Sequence, residues 1–402
     1  MRDRATELST MLPSLSSGSL KQSPLCLDYQ ATTPCAAEVV KAMAAYWSED
    51  WGNASSRQHR SGLKAAAAVS LAREQLACHL RVTPQRVIFT SGATEANNLA
   101  LVGHARARAE QRGAPGHLIT LVAEHHAVLD PLRQLQKEGF RLTELQPRAD
   151  GLLRPEQLAE AFENDTLLVS VMVANNETGV IQPLAELSEL CRQRDVVLHS
   201  DAAQAFGHIH LDADALGLDL VSISGHKLYG PKGIGALVVR PEVPIKPLQW
   251  GGGQEQGLRP GTLPVPLIVG LAKAVELAME DITSRQDKLC TLRNQLWDGL
   301  RERLPNLILN GSLEHRLPHN LNITIPGVRG SSLHQQLRPL IACSSGSACS
   351  QGAPSHVLMA LGRTSAEAEA SLRLSLGRNT SSEEITQAVE SISNVVTDLR
   401  AR

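Results

Sequence analysis

Five apolar runs with strand character, at residues 86–90, 117–122, 167–174, 196–200 and 220–224, alternate along this chain with helical stretches such as 62–79 and 183–194. Strands separated by helices predict a mostly parallel sheet covered on both faces. The ligand of such a sheet lies beyond the carboxyl ends of its strands. A chain of 402 residues with 42% hydrophobic content has enough material for a large core and more than one domain.

The residues that follow the strands carry the chemistry. After 86–90 come Ser91, Gly92, Ala93, Thr94 and Glu95, which open a helix. Free N–H groups and hydroxyls at a positive helix end suit a phosphate, although the same residues also read as an ordinary helix cap. After 117–122 come Glu124, His125 and His126, an imidazole source for stacking on a flat ring or a pair of surface histidines. Asn175 and Asn176 follow the next strand and offer amides to a phenolic or carboxylate oxygen, or serve only the turn. The buried-type strand 196–200 delivers Asp201 and then Gln204, and a carboxylate at that depth calls for a cation or a donor. One strand later, Gly225 breaks the run 219–224 and places His226 and Lys227 on a tight connection before 234–240 resumes. Taken alone, Lys227 is a hairpin lysine in water. In succession with a phosphate cradle, a ring-stacking histidine, an oxygen-binding amide and a ring-nitrogen carboxylate, it reads as the imine lysine of a pyridoxal phosphate site.

Ten blocks, in order, resemble the cysteine desulfurases of the fold-type I pyridoxal phosphate superfamily: LDYQATTP (27–34), WGNASSRQH (51–59), TSGATEANNL (90–99), AEHHAVLD (123–130), NNETG (175–179), HSDAAQ (199–204), SGHKLYGPKGIGAL (224–237), GGGQEQGLRPGTLP (251–264), SSGSAC (344–349) and RLSLGR (373–378). The resemblance implies an α/β fold with a mostly parallel sheet in a large domain and a smaller α+β domain. It implies that Lys227 carries the cofactor, His125 stacks on it, Asp201 pairs with the ring nitrogen, and Asn176 and Gln204 hold the ring hydroxyl. Ala93, Thr94, Ser224 and His226 would hold the phosphate, and Thr262 would reach the phosphate of a partner subunit, which makes the unit a homodimer. Arg373, with Asn176, would bind the carboxylate of L-cysteine, a bidentate task suited to guanidinium. Arg378 receives no role.

Cys349 is the expected acceptor of sulfur, as a persulfide, and the resemblance makes His125 a helper in proton transfer. The small residues 344–348 bury little and predict a mobile loop, whereas Cys343, after 339–342, reads as ordinary core. The product sulfur would go to an acceptor or an iron-sulfur scaffold protein. No resident metal is expected, and a cluster would meet Cys349 only during transfer. The segment 350–354 looks shorter than in long-loop relatives, and no scaffold-docking extension follows the last helical pattern, so the acceptor stays open. An aminotransferase or carbon-carbon lyase of the same fold would use Lys227 but not a loop cysteine. A degenerate binding subunit would lack Lys227 or Asp201. Selenocysteine lysis is not distinguished.

A net charge of -2 with interspersed acids and bases gives no footprint for nucleic acid or an anionic membrane, and no apolar run reaches the ~18 residues of a membrane helix. Seven cysteines without CxxC or zinc spacing fit a reducing, cytoplasmic setting. Residues 1–22 read as a disordered tail, an over-long start or, less well given Asp3 and Glu7, a transit peptide. The division expected is a cofactor-binding domain at 36–281 and a small domain of 23–35 plus 282–402 that carries the cysteine loop.

Overall fold

The computed structural model describes residues 24–345 and 354–402; the 1–22 tail and Cys349 lie outside the described residues. A seven-stranded sheet runs in the order Val87–Thr90, Gly235–Val239, Leu220–Ser224, Val197–Asp201, Thr166–Ser170, His117–Leu121, Arg141–Leu145. Gly235–Val239 is antiparallel to both of its neighbours and every other pairing is parallel.

Both faces of the sheet are apolar, with the period of two that a strand imposes. Phe89, Ile119, Val169, Leu198, Ile223 and Val238 point to one face, against helices Arg60–Leu80, Leu184–Arg192 and Val265–Glu280. Ile88, Leu118, Leu168, Leu220 and Leu237 point to the other, against Ala93–Arg112 and His126–Lys137. Removing each such Leu or Ile from water contributes about 1.5–3 kcal/mol, so the sheet is a rigid platform for whatever its strand ends present.

A separate core gathers Leu27, Leu296, Leu300, Leu321, Ile323, Leu372, Leu374 and Ile392. It lies between helices Ile282–Arg303 and Ser382–Arg400 and a three-stranded antiparallel sheet, Ser371–Ser375, Asn320–Thr324, Ile308–Leu309. Helix Ser382–Arg400 starts at a reciprocal capping box, Ser381 with Glu384. The N-terminal strand Leu25–Cys26 crosses over to pair in parallel with Ile341–Ala342 of this unit.

The strand expected over 167–174 is shorter: regular strand covers Thr166–Ser170, and the buried residues 171–174 leave it while Val171 and Val173 still donate to His199 O and Asp201 O. Arg141–Leu145, an edge strand not expected from the sequence, is half-exposed along its length. Arg378 packs its guanidinium 4.4 Å from the centre of the Tyr229 ring, which accounts for the residue without invoking chemistry.

Candidate active site

The carboxyl ends of the parallel strands open into a cavity of about 580 Å³. Its wall includes Ala93, Thr94, His125, Asn176, Asp201, Gln204, Ser224, His226, Lys227 and Arg373. Two other named residues remain, Thr262 being assigned to a partner's phosphate and not to this one. Cys349 lies outside the described residues, and Thr262 is exposed, away from this cavity.

At the first strand end Gly92 adopts φ 155° and ψ -179°, a region essentially only glycine enters. This turn lets helix Ala93–Arg112 start at the cavity wall, with the N–H groups of its first turn lacking intrahelical acceptors. Glu95 reaches back to accept from the Ser91 N–H at 2.6 Å and is held by Arg259 Nε at 2.9 Å. The cap and cradle readings of this motif therefore coexist. Burial opposes ionisation of Glu95, but the bonds from Arg259 and Ser91 outweigh it and hold the carboxyl below its usual range.

His125 caps helix His126–Lys137, its Nδ1 accepting from the Ala127 N–H at 3.0 Å. An accepting Nδ1 puts the proton of the neutral ring on Nε2. Burial pushes the imidazole pKa down, Asp201 pulls it up, and the Lys227 charge lowers it again, with a net fall. The ring is therefore held neutral beside the cavity. Of the two neighbouring asparagines only one faces the site. Asn175 is consumed by the turn, accepting from the N–H groups of Glu177 and Thr178 and donating to Ala123 O at 2.9 Å. Asn176 lines the cavity, and its buried Oδ1 has no partner among the described residues.

Asp201 ends its strand buried, accepting on Oδ1 from the Ala203 N–H at 2.8 Å and on Oδ2 from Asn97 Nδ2 at 2.7 Å. Asn97 sits within TSGATEANNL, but its role depends on a contact from helix Ala93–Arg112 to the end of strand Val197–Asp201 that the sequence does not display. Gln204 donates to Gln30 O at 3.2 Å. Past Ser224 the chain makes a 3₁₀ turn, Gly225–Lys227, where Lys227 Nζ donates to Gln30 O at 2.5 Å and Ala31 O at 2.9 Å. Burial, with Lys227 and Lys232 beside it, pushes His226 down to about 4. Its Nδ1 stands 3.1 Å from Thr32 Oγ1.

Arg373, 2% exposed, closes the cavity from the smaller sheet. It donates to Asn176 O at 2.9 Å and to Asp28 Oδ1 at 2.8 Å. Asp28 and Gln30 lie in the block 27–34, where nothing in the sequence assigns either a role. Cys343 packs partly buried against the small core, as expected, and its thiol is pushed up to about 12 by burial, with Asp28 adding to the rise.

These groups suit a flat, phosphorylated, basic ring: a helix N-terminus for the phosphate, and a carboxylate, an amide with an unpartnered oxygen and an amine within the same wall. Fold and site together define a pyridoxal phosphate enzyme of fold type I. Residues 25–388 match the family model described as aminotransferase class-V. The chain is 46% identical over 383 residues to "Cysteine desulfurase IscS" of Aeromonas salmonicida, covering 94% of each. Among solved structures it resembles a NifS-like protein, with TM-score 0.87, 35% identity, and coverage of 94% of this chain and 100% of the other. It also resembles "SspA in complex with cysteine", with TM-score 0.78, 37% identity, and coverage of 88% and 99%. The chain belongs to the class-V aminotransferase family.

Proposed function

We propose that the chain is a pyridoxal phosphate-dependent cysteine desulfurase, converting L-cysteine to L-alanine and passing the sulfur through an enzyme persulfide. The observation that carries the reading is the convergence of Lys227, Asp201, a free helix N-terminus and Arg373 on one cavity. The likeness to cysteine desulfurases across nearly the whole chain supports the choice of substrate. Sulfur supply for iron-sulfur clusters or other sulfur-containing cofactors is the matching role.

When bound, pyridoxal phosphate supplies an electron sink attached to the substrate's amino group. The residues around it divide the remaining work. Ala93, Thr94, Ser224 and His226 would hold the phosphate, Asp201 would pair with the ring nitrogen, Asn176 and Gln204 would bind the ring oxygen, and His125 would stack on the ring; all of them line the one cavity. Arg373 binds the substrate carboxylate, with Asn176 beside it. Lys227, besides anchoring the cofactor, removes the α-proton and returns a proton to the product carbon. Cys349, as thiolate, attacks the substrate sulfur: the carbon-sulfur bond breaks, a sulfur-sulfur bond forms, and alanine leaves. His125, with the proton of its neutral ring on Nε2, would donate that proton toward sulfur.

We place the cofactor in a domain of 36–281 and the cysteine segment in a small domain of 23–35 plus 282–402; the separate apolar core of the latter supports that division. The active unit is a homodimer in which Thr262 reaches the partner's phosphate. Its support is the exposed apolar surface at Trp47, Trp51 and Trp250, of which Trp250, 87% exposed, adjoins the glycine-rich segment leading to Thr262. The acceptor is a small thiol, a sulfur carrier or an iron-sulfur scaffold protein. Free cysteines throughout the described residues fit a cytoplasmic setting.

The test is product analysis. Purified holoenzyme with L-cysteine and a reductant yields alanine and sulfide in equal amounts, and borohydride reduction fixes the cofactor on Lys227. Pyruvate or a transaminated product in place of alanine, or the cofactor on Lys232, refutes the assignment.

A further inference from the structure

Asp28 belongs to no part of the chemistry assigned above, yet its carboxylate stands beside the residue that reads the substrate. Its neighbours in the chain are both tied down: Leu27 N–H donates to Ala342 O at 2.9 Å, and Tyr29 N–H donates to Ser375 O at 3.4 Å. From this mount one oxygen, Oδ1, accepts from Arg373 Nη2 at 2.8 Å and from Ser344 Oγ at 2.9 Å. Ser344 is also bound to Arg373 through the backbone, Arg373 N–H to Ser344 O at 2.7 Å. Among the described residues Asp28 is the carboxylate paired with Arg373.

The form of this pair is unlike the surface pairs of the same molecule. Arg106 with Glu138 and Arg133 with Glu144 are side-on and bidentate, committing Nε and Nη2 to two carboxylate oxygens. Asp28 takes only Nη2. Arg373 Nε stays buried without an acceptor among the described residues. A buried guanidinium N–H without an acceptor is costly, and it is the kind of donor an arriving carboxylate relieves. With Nη1 on Asn176 O at 2.9 Å and Nη2 shared between Asp28 Oδ1 and Ser344 Oγ, the latter at 3.1 Å, the grip through one carboxylate oxygen helps fix the guanidinium and leaves Nε and one Nη1 N–H without an acceptor among the described residues. A side-on bidentate grip would have taken Nε as well.

We propose that Asp28 is the positioning residue for the substrate carboxylate: it aims Arg373 without occupying it, and so sets the enzyme's preference for amines that carry an α-carboxylate. The inference rests on the reading of Arg373 given above. Asp28 acts through Arg373 and touches neither cofactor nor sulfur.

The test compares two ligands on holoenzyme by absorbance titration: L-alanine, which carries the carboxylate, and ethylamine, the same skeleton without it. Asp28→Ala weakens L-alanine by about tenfold or more, the range for losing a hydrogen bond to a charged group, and leaves ethylamine unchanged. Asp28→Asn keeps the accepting oxygen and keeps close to wild-type affinity for L-alanine. Asp28→Glu, which retains charge but displaces it, behaves like Asp28→Ala and stands in for it should the alanine variant not fold. Arg373→Gln is the control and abolishes the preference for L-alanine. If Arg373→Gln retains that preference, the assignment of Arg373 fails. If Arg373→Gln loses it while Asp28→Ala and Asp28→Glu do not weaken L-alanine, the role of Asp28 fails. Equal weakening of both ligands reveals a structural effect alone, and a loss in Asp28→Asn as large as in Asp28→Ala puts the effect on charge; either result overturns the proposal.

Discussion

Gly235→Ala tests how the sheet holds the phosphate end of the site. Gly235 opens the antiparallel strand Gly235–Val239, opposite Thr90 on one side and Ser224 on the other. A methyl there meets the Ile223 carbonyl oxygen and comes within 2.8 Å of Gly92 Cα. Both obstacles are backbone, so no side chain can rotate away. Ile223 lies within a fully buried strand of the central sheet, whereas Gly92 is in a turn whose far side is open. The turn yields, and the start of helix Ala93–Arg112 moves with it. Overpacking of this kind costs about 1–3 kcal/mol. If the empty turn relaxes, that cost returns when pyridoxal phosphate binds, which weakens its affinity by about 5- to 150-fold. Titration of the apoenzyme with cofactor, followed by absorbance, reads the change. Gly113→Ala is the comparison: Gly113, at the other end of the same helix with φ 78°, has open space around it. It costs about 1 kcal/mol of stability through backbone strain and leaves cofactor affinity alone. Wild-type cofactor affinity in Gly235→Ala refutes the argument that the turn at Gly92 sets the phosphate cradle.

Three further outcomes follow. Cys349→Ala retains cofactor absorbance and its response to L-cysteine but loses sulfur transfer, whereas Cys343→Ala costs on the order of 1 kcal/mol of stability and keeps turnover; denaturation curves and sulfide assays separate them. Acid stability is set partly by His104 and His199, which burial holds at about 4 and about 3, below the unfolded value. Between these values and 6.5 the unfolded chain binds the extra protons, so stability is full above 6.5 and falls by about 1.4 kcal/mol per pH unit for each as pH drops. A urea series from pH 7 to 5 in which His199→Gln does not flatten that slope contradicts the assignment. Sedimentation at micromolar concentration gives twice the chain mass, and Thr262→Ala weakens cofactor retention without dissociating the dimer; a fully active monomer excludes the shared site.

The sequence displays the strand-end residues because each is local to its strand. Asp201 and Lys227 need only the length of an apolar run and the residue that ends it, and both line the cavity where that reading puts them. Asn175 and Asn176 are adjacent and of one type, so only the folded turn tells the structural amide from the one facing the cavity. The apolar run 167–174 overstates its strand because residues 171–174 stay buried past Ser170, where regular strand gives way to scattered backbone bonds such as Val171 N–H to His199 O. The edge strand Arg141–Leu145 hides for the opposite reason: an edge carries charge such as Arg141 and Glu144, which blurs the alternation. Asp28 and Gln30 are farthest from legible. Their partners Arg373 and Lys227 stand 345 and 197 residues away, and no local pattern announces a contact closed by two crossing segments.

A single turnover tests the central claim most directly. Holoenzyme free of reductant receives one equivalent of L-cysteine and is digested under conditions that preserve persulfides. One alanine forms per chain, and the peptide that contains Cys349 gains the mass of one sulfur atom. Alanine formed with no sulfur retained on the chain, or the sulfur found on Cys343, contradicts that claim.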